Sequence, residues 1–167
     1  MPALRRNASQ SVLLLTVVAL LLAACGWRLQ GTSKLPQAMA VAYVETDDRY
    51  TDFNRALQDA LRASGARLAG DPKDAIAIVR ILRDESGQRV LSVSARNTPE
   101  EYEVFYAVEY SVANRDGELI APQQLELTRD YSYDTTAVLA KQREQAILRE
   151  ALARDLAALV LRRLASL

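Results

Sequence analysis

The chain has 167 residues with 21 basic and 21 acidic side chains, no histidine and one cysteine, a length that suits one domain with a real core. The charge balance argues against a general nucleic-acid binder, which needs a basic excess, and the missing histidines remove His-based triads, Cys–His pairs and conventional zinc sites. No Gly-rich phosphate loop is present, and adjacent acids such as Glu100 and Glu101 read as a solvated turn, so no enzyme is expected.

Residues 1–24 read as an export signal, cleaved from the mature chain. Arg5 and Arg6 form a positive start, and Val12 to Leu22 is an apolar run of about eleven residues, too short to span a bilayer. Small residues, Ala23 and Ala24, stand where a signal peptidase must fit the chain. Leu22-Ala23-Ala24-Cys25 resembles a bacterial lipobox, at which the cysteine is acylated and becomes the first mature residue. An ordinary secretory signal or a buried free thiol is the alternative. The position of Cys25 at the junction, with no second cysteine to pair with, favours the anchor. An S-diacylglycerol and an N-acyl group carry several chains at about 0.8 kcal/mol per buried methylene, enough for attachment without a transmembrane helix. No other cofactor is expected. Gly26 stands where an aspartate tends to retain a lipoprotein in the inner membrane, which points to the outer one. Arg5 and Arg6 leave with the signal, so 19 basic residues then face 21 acidic ones.

Gly26 to Ala40 lacks periodicity and holds Gly31, Ser33 and Pro36, so 25–40 reads as a tether ahead of a single domain at 41–167. Val41 to Thr46 has strand composition. Behind it, Phe53, Ala56, Leu57, Ala60 and Leu61 recur at three and four. That spacing predicts a helix, with Thr51 or Asp48 as N-cap and Ser64-Gly65 at its C-terminus. Asp71-Pro72 marks a turn. From Ala75 the period falls to two: Ile76, Ile78, Arg80 and Leu82 alternate with Ala77, Val79 and Ile81, a strand with both faces at least partly covered. Ser86-Gly87 predicts a bulge or bend before Val90, Leu91 and Val93. After a turn at Arg96 to Pro99, a third strand carries Tyr102, Val104, Tyr106, Val108, Tyr110 and Val112 on one face. Such a row is ordinarily core; a groove for acyl chains is the sharper alternative. Asn114 to Gly117 has the Asp-Gly hairpin signature, and Leu125, Leu127, Arg129 and Tyr131 carry a fourth strand with Pro122 at its start. From about Ala137 to Leu164, Ile147, Leu148, Ala151, Leu152, Leu156, Leu159 and Val160 form the apolar stripe of a helix packed on the sheet.

The order β-α-β-β-β-α predicts an α+β fold, a two-layer sandwich of two helices on a four-stranded mixed sheet. The opening strand-helix-strand requires a crossover, which makes the first and second strands parallel. The second strand then ends near Arg96, the third descends to the Asp-Gly hairpin, and the fourth rises to Tyr133. The last helix therefore starts at the Arg96 end, and Lys141 in its first turns belongs there, with Arg129 and Arg143 near and the tether opposite. By charge counting alone the plainer reading of these residues is scattered solvated charge.

Taken in order, Cys25-Gly26-Trp27-Arg28-Leu29, Leu35-Pro36, Arg96-Asn97 with Glu101-Tyr102, Arg129 with Tyr131 to Asp134, Leu139-Ala140-Lys141 with Glu144-Gln145, and Asp155-Leu156 to Arg162-Arg163-Leu164 resemble the lipopolysaccharide-assembly lipoprotein family LptE, formerly RlpB. The resemblance runs along nearly the whole mature chain. It implies a lipoprotein that sits inside the outer-membrane β-barrel LptD. There it serves as plug, assembly aid and lipopolysaccharide-binding element while the pair places lipopolysaccharide in the outer leaflet, without catalysis. It implies lipopolysaccharide binding at Arg96 and Lys141, the two positions brought to one end by the topology, with Arg129 and Arg143 as neighbouring candidates. The chain departs from the family in having Thr98-Pro99-Glu100 after Arg96-Asn97, where a Gly-containing turn is usual, and in lacking a long polar C-terminal tail. The alternative function is a free-standing, periplasm-facing lipoprotein that scaffolds or activates an envelope enzyme through its Tyr-rich sheet.

Overall fold

The structure is a computed structural model that describes residues 35–133 and 138–167. The export signal, Cys25, the tether up to residue 34 and Asp134 lie outside the described residues. In chain order the elements are β1 (Val41–Glu45), α1 (Asp52–Ala63), β2 (Arg67–Leu68), β3 (Ala77–Val93), β4 (Pro99–Asn114), β5 (Gly117–Ser132) and α2 (Val138–Leu164), with short 3-10 turns at Gln37–Met39 and Pro72–Asp74.

Helix α1 starts where Thr51, in an extended conformation, accepts a hydrogen bond on its hydroxyl from Asn54 N at 3.1 Å. It ends at Gly65, whose φ of 90° suits a residue without Cβ. Phe53, Leu57 and Leu61, spaced by four, are fully buried. Asn54 is buried beside them, and its amide is satisfied locally: Nδ2 donates to Arg49 O at 2.8 Å, and Oδ1 accepts from Gln58 Nε2.

The sheet order is β2-β1-β3-β4-β5. β1 pairs in parallel with β3, as the crossover requires, and β3, β4 and β5 form an antiparallel meander. The predicted four strands become five. Arg67–Leu68 adds a two-residue strand parallel to β1 at the edge, too short to leave any periodicity in sequence. Packing also begins before residue 41: Leu35 lies against the core and Met39 is fully buried.

β1 reaches only Arg80 of β3. From Ile81 to Val93 the sheet continues as a three-stranded ribbon, about 40 Å long at the usual rise. No bulge interrupts the pairing at Ser86-Gly87; the register shifts lie at Ile81/Arg83 and around Leu91. Gly87 is explained by its cross-strand neighbour, because a Cβ there would sit 2.8 Å from the ring of Phe105.

Both helices cover one face of the sheet. Against them lie Val79 and Ile81 of β3, Val104, Tyr106, Val108, Tyr110 and Val112 of β4, and Ile120 of β5, all buried. The aromatic row is therefore core except at Tyr102, which is half-buried. The opposite face of β3 is more open than the sequence suggests, with Ile76 and Leu82 about half exposed.

α2 has two halves. Leu152, Ala153, Leu156, Ala157, Val160 and Leu164 are buried, whereas Ile147, counted in its apolar stripe, is 63 % exposed. Asp52 meets Arg149, and the groove between the helices is lined on the α2 side from Ala146 to Leu161, so α1 does not reach the first turns of α2. The first turns of α2 extend alone over the ribbon.

Candidate functional site

The free end of the ribbon is built from the β3–β4 turn, the last residues of β5 and the first turns of α2. In the turn, Ser94 N donates to Thr98 O at 2.8 Å and Asn97 N donates to Ser94 O at 2.9 Å. The Ser94 hydroxyl accepts from Arg96 N and Thr98 N. Asn97 adopts φ 59°, the left-handed region that Asn tolerates better than most side chains. Asn97 thus takes the left-handed position without a glycine, and the turn holds the Arg96 backbone while its side chain stays exposed.

Lys141 sits one turn into α2. Its side chain is only 18 % exposed, its Nζ donates to Glu144 Oε2 at 2.8 Å, and it lies 5.9 Å over the centroid of the Tyr131 ring. Tyr131 is opposite Tyr102, which is opposite Val90, so three strands place one row beneath Lys141. Tyr102 stacks on Tyr131 at 5.8 Å and Tyr133 meets Tyr102 edge-on at 5.2 Å. The Tyr131 hydroxyl donates to Gln88 Oε1 at 2.9 Å, and burial raises its pKa from the ordinary phenol value.

Arg96 and Lys141 therefore occupy the same end. Arg143, exposed on the first half of α2, has no ion pair among the described residues. Arg129 is drawn away: its Nη2 pairs with Asp155 Oδ2 at 2.7 Å, about 21 Å of helix below Lys141. Arg115 lies at the opposite end, in the β4–β5 hairpin, where its Nη2 donates to Lys73 O at 3.0 Å. Among the described residues, acids near the site include Glu100, Glu101 and Glu144, of which Glu101 accepts from the Ser92 hydroxyl and Glu144 from Lys141.

Sequence reasoning missed the apolar component. Val90, Leu91, Val93, Val138 and Leu139 are half of the large apolar residues exposed among the described ones, and all five lie at this end. Leu139, at 74 % exposed, is the most prominent of the five. The available signal was Val138-Leu139 in the first turn of a helix that buries its core residues only from Leu152 onward. Exposed apolar surface beside cations suits an amphiphile with an anionic head.

Among the described residues no cluster of His, Cys, Asp or Glu could hold a metal ion, and no helix is long and apolar enough to cross a membrane. The "LPS-assembly lipoprotein LptE" of Yersinia enterocolitica is 31 % identical over 149 residues, 88 % of this chain and 70 % of that protein. The crystal structure of rare lipoprotein B from Shewanella oneidensis matches with TM-score 0.66 at 28 % identity, covering 75 % of this chain and 94 % of that one. The solution structure of lipoprotein B from Nitrosomonas europaea matches in fold with TM-score 0.70 at 23 % identity, covering 84 % and 91 %. The lipopolysaccharide-assembly family model, LptE, matches residues 39–164, from the buried Met39 to the last residue of α2, and the chain belongs to that family of lipoproteins.

Proposed function

We propose that this protein is an outer-membrane lipoprotein, held by lipid on Cys25, that joins the β-barrel LptD as its plug, binds lipopolysaccharide at the free end of the ribbon and assists its assembly into the outer leaflet. Its role is binding and assembly, not catalysis. One observation carries the binding reading: Arg96 and Lys141 share an end with Val90, Val93 and Leu139. Lipopolysaccharide presents phosphates on a sugar pair next to acyl chains. Arg meets phosphate bidentately, Lys adds a point charge, and apolar side chains receive hydrocarbon.

The partner reading rests on the family, since relatives carry the name lipopolysaccharide-assembly lipoprotein. The scaffold alternative needed the Tyr-rich sheet face as a free surface; Tyr106 and Tyr110 are buried under the helices, which removes most of it. The test is purification of the mature lipoprotein from outer membranes. A stoichiometric large β-barrel with bound lipopolysaccharide is the expected result. Isolation with a soluble envelope enzyme and no barrel would overturn the reading.

A further inference from the structure

We infer that Tyr131 is a positioning residue for lipopolysaccharide binding: its ring face seats the Lys141 ammonium at the free end of the ribbon, and Tyr102 holds that ring in place. The inference rests on the reading of this end as the lipopolysaccharide site.

Lysine is a strongly hydrated charge on a four-carbon stem with free rotors, and on its own it holds no defined place. Two groups and burial restrain Lys141. The Tyr131 ring lies 5.9 Å below the ammonium, within the range of a cation–π contact. Glu144, three residues on, draws the ammonium along the helix. Burial leaves the side chain only 18 % exposed, so the stem runs over apolar surface before its head reaches the edge. Of the two electrostatic partners only the ring stays in place when an anion arrives. The Glu144 carboxylate is 45 % exposed and can turn to water, whereas Tyr131 is fixed by its Gln88 hydrogen bond, by stacking on Tyr102 and by burial.

The aromatic group is also asymmetric in a way that a purely structural role does not require. Tyr106 and Tyr110 fill the core beneath the helices, yet Tyr102, Tyr131 and Tyr133 cluster where the cover thins to the first turns of α2. Tyr131 is the member of that cluster in contact with a cation. A seated ammonium presents its remaining donors outward at low reorganisation cost, the advantage of a pre-placed site over a mobile one.

The test replaces Tyr131 in the full mature chain by Phe and by mono-, di- and trifluorinated phenylalanine, which keep the ring's shape while weakening its negative face. Binding of purified lipopolysaccharide is measured with Lys141 present and in Lys141→Ala. Phe keeps the ring and its stacking on Tyr102 but loses the Gln88 hydrogen bond, so it is the reference for the fluorinated series. Affinity should then fall stepwise with fluorination, by about two- to five-fold over the series, and the fall should vanish in Lys141→Ala. A flat series with Lys141 present, or an equal fall in both backgrounds, overturns the positioning role. If Lys141→Ala itself leaves binding unchanged, the site reading fails as well, which separates the two claims.

Discussion

Tyr106 and Asp84 are joined by a hydrogen bond of 2.8 Å from the phenol to Oδ1 of the carboxylate, while the same phenol oxygen accepts from Phe53 N at 3.1 Å. The first amide of α1's apolar face is thereby tied through β4 to β3. A buried helix start needs such a partner, because its leading N–H groups have none within the helix. Replacing Tyr106 with Phe leaves both Phe53 N and Asp84 short of a partner. Chemical denaturation should show a loss of about 1–3 kcal/mol; an unchanged midpoint would mean that the tie contributes nothing.

Asp84 carries a second consequence. Its Oδ2 is buried without a hydrogen-bond partner, and burial raises its pKa above the ordinary 3.8, with the nearby Asp48 and Asp52 carboxylates adding to the rise. A carboxyl whose folded pKa is raised favours the folded state when protonated. That favour is complete below the unfolded value of 3.8 and is lost as pH climbs through the folded value. At neutral pH the ionised group is a burden, softened because Asp84 is only partly buried. Asp84→Asn keeps an acceptor for Tyr106 and should raise the melting temperature at pH 7, by the equivalent of about 0.5–1 kcal/mol. The gain should disappear below pH 3.8. A lower melting temperature at pH 7 would refute the assignment.

The core of α2 is set by Leu152 and Leu156, both essentially inaccessible to solvent. An aspartate at either position puts an unpaired charge into the apolar core cluster. Leu152→Asp and Leu156→Asp should each cost several kcal/mol, about 3 or more. Ile147→Asp is the contrast: at 63 % exposed it should change stability by less than about 0.5 kcal/mol. Similar losses at all three would contradict the division of α2 into a packed and an overhanging half.

That division shows how far the sequence could be read. The period of four at Phe53, Leu57 and Leu61 and the period of two from Tyr102 to Val112 are signals of faces, and faces were correctly assigned because each buries one side. Strand direction followed from the crossover and the short connections. Length did not. β1 stops at Glu45 while β3 runs to Val93, and nothing local to either strand states that the sheet narrows to a ribbon. The narrowing decides which apolar residues lose their cover, so Val90, Val93 and Leu139 read as ordinary strand and helix residues until the layers are assembled. The turn from Arg96 to Pro99 was legible, but its geometry was not: Asn97 occupies the left-handed region without the glycine that usually marks it.

Glu144 competes with any anion for Lys141, to which it bonds at 2.8 Å. Glu144→Gln removes a like charge from the path of a phosphate and should tighten lipopolysaccharide binding by about two- to five-fold at low salt. The gain should shrink as salt rises, since both effects are Coulombic. Weaker binding by Glu144→Gln would mean that the carboxylate holds Lys141 in its working position, a task assigned here to Tyr131.

Arg96 and Lys141 should act together. Two cations near one phosphate-bearing head contribute Coulomb attraction and charge-assisted hydrogen bonds, and neither anchors the fold: Arg96 is an exposed turn residue, and Lys141 precedes the packed half of α2. Arg96→Asp with Lys141→Asp should therefore weaken lipopolysaccharide binding by about ten-fold or more at low salt, with less effect at high salt. Recovery of a barrel complex should persist, with only the modest loss of melting temperature that follows from removing the Lys141 contacts to Tyr131 and Glu144. Arg115→Ala is the control, since the Arg115 guanidinium sits at the far hairpin against Lys73 O. It should lose its contact to that carbonyl and nothing in binding. If Arg115→Ala weakened binding as much as the double change, the attraction would belong to the molecule's general charge and not to the end where the ribbon, the turn and the first helical turns meet.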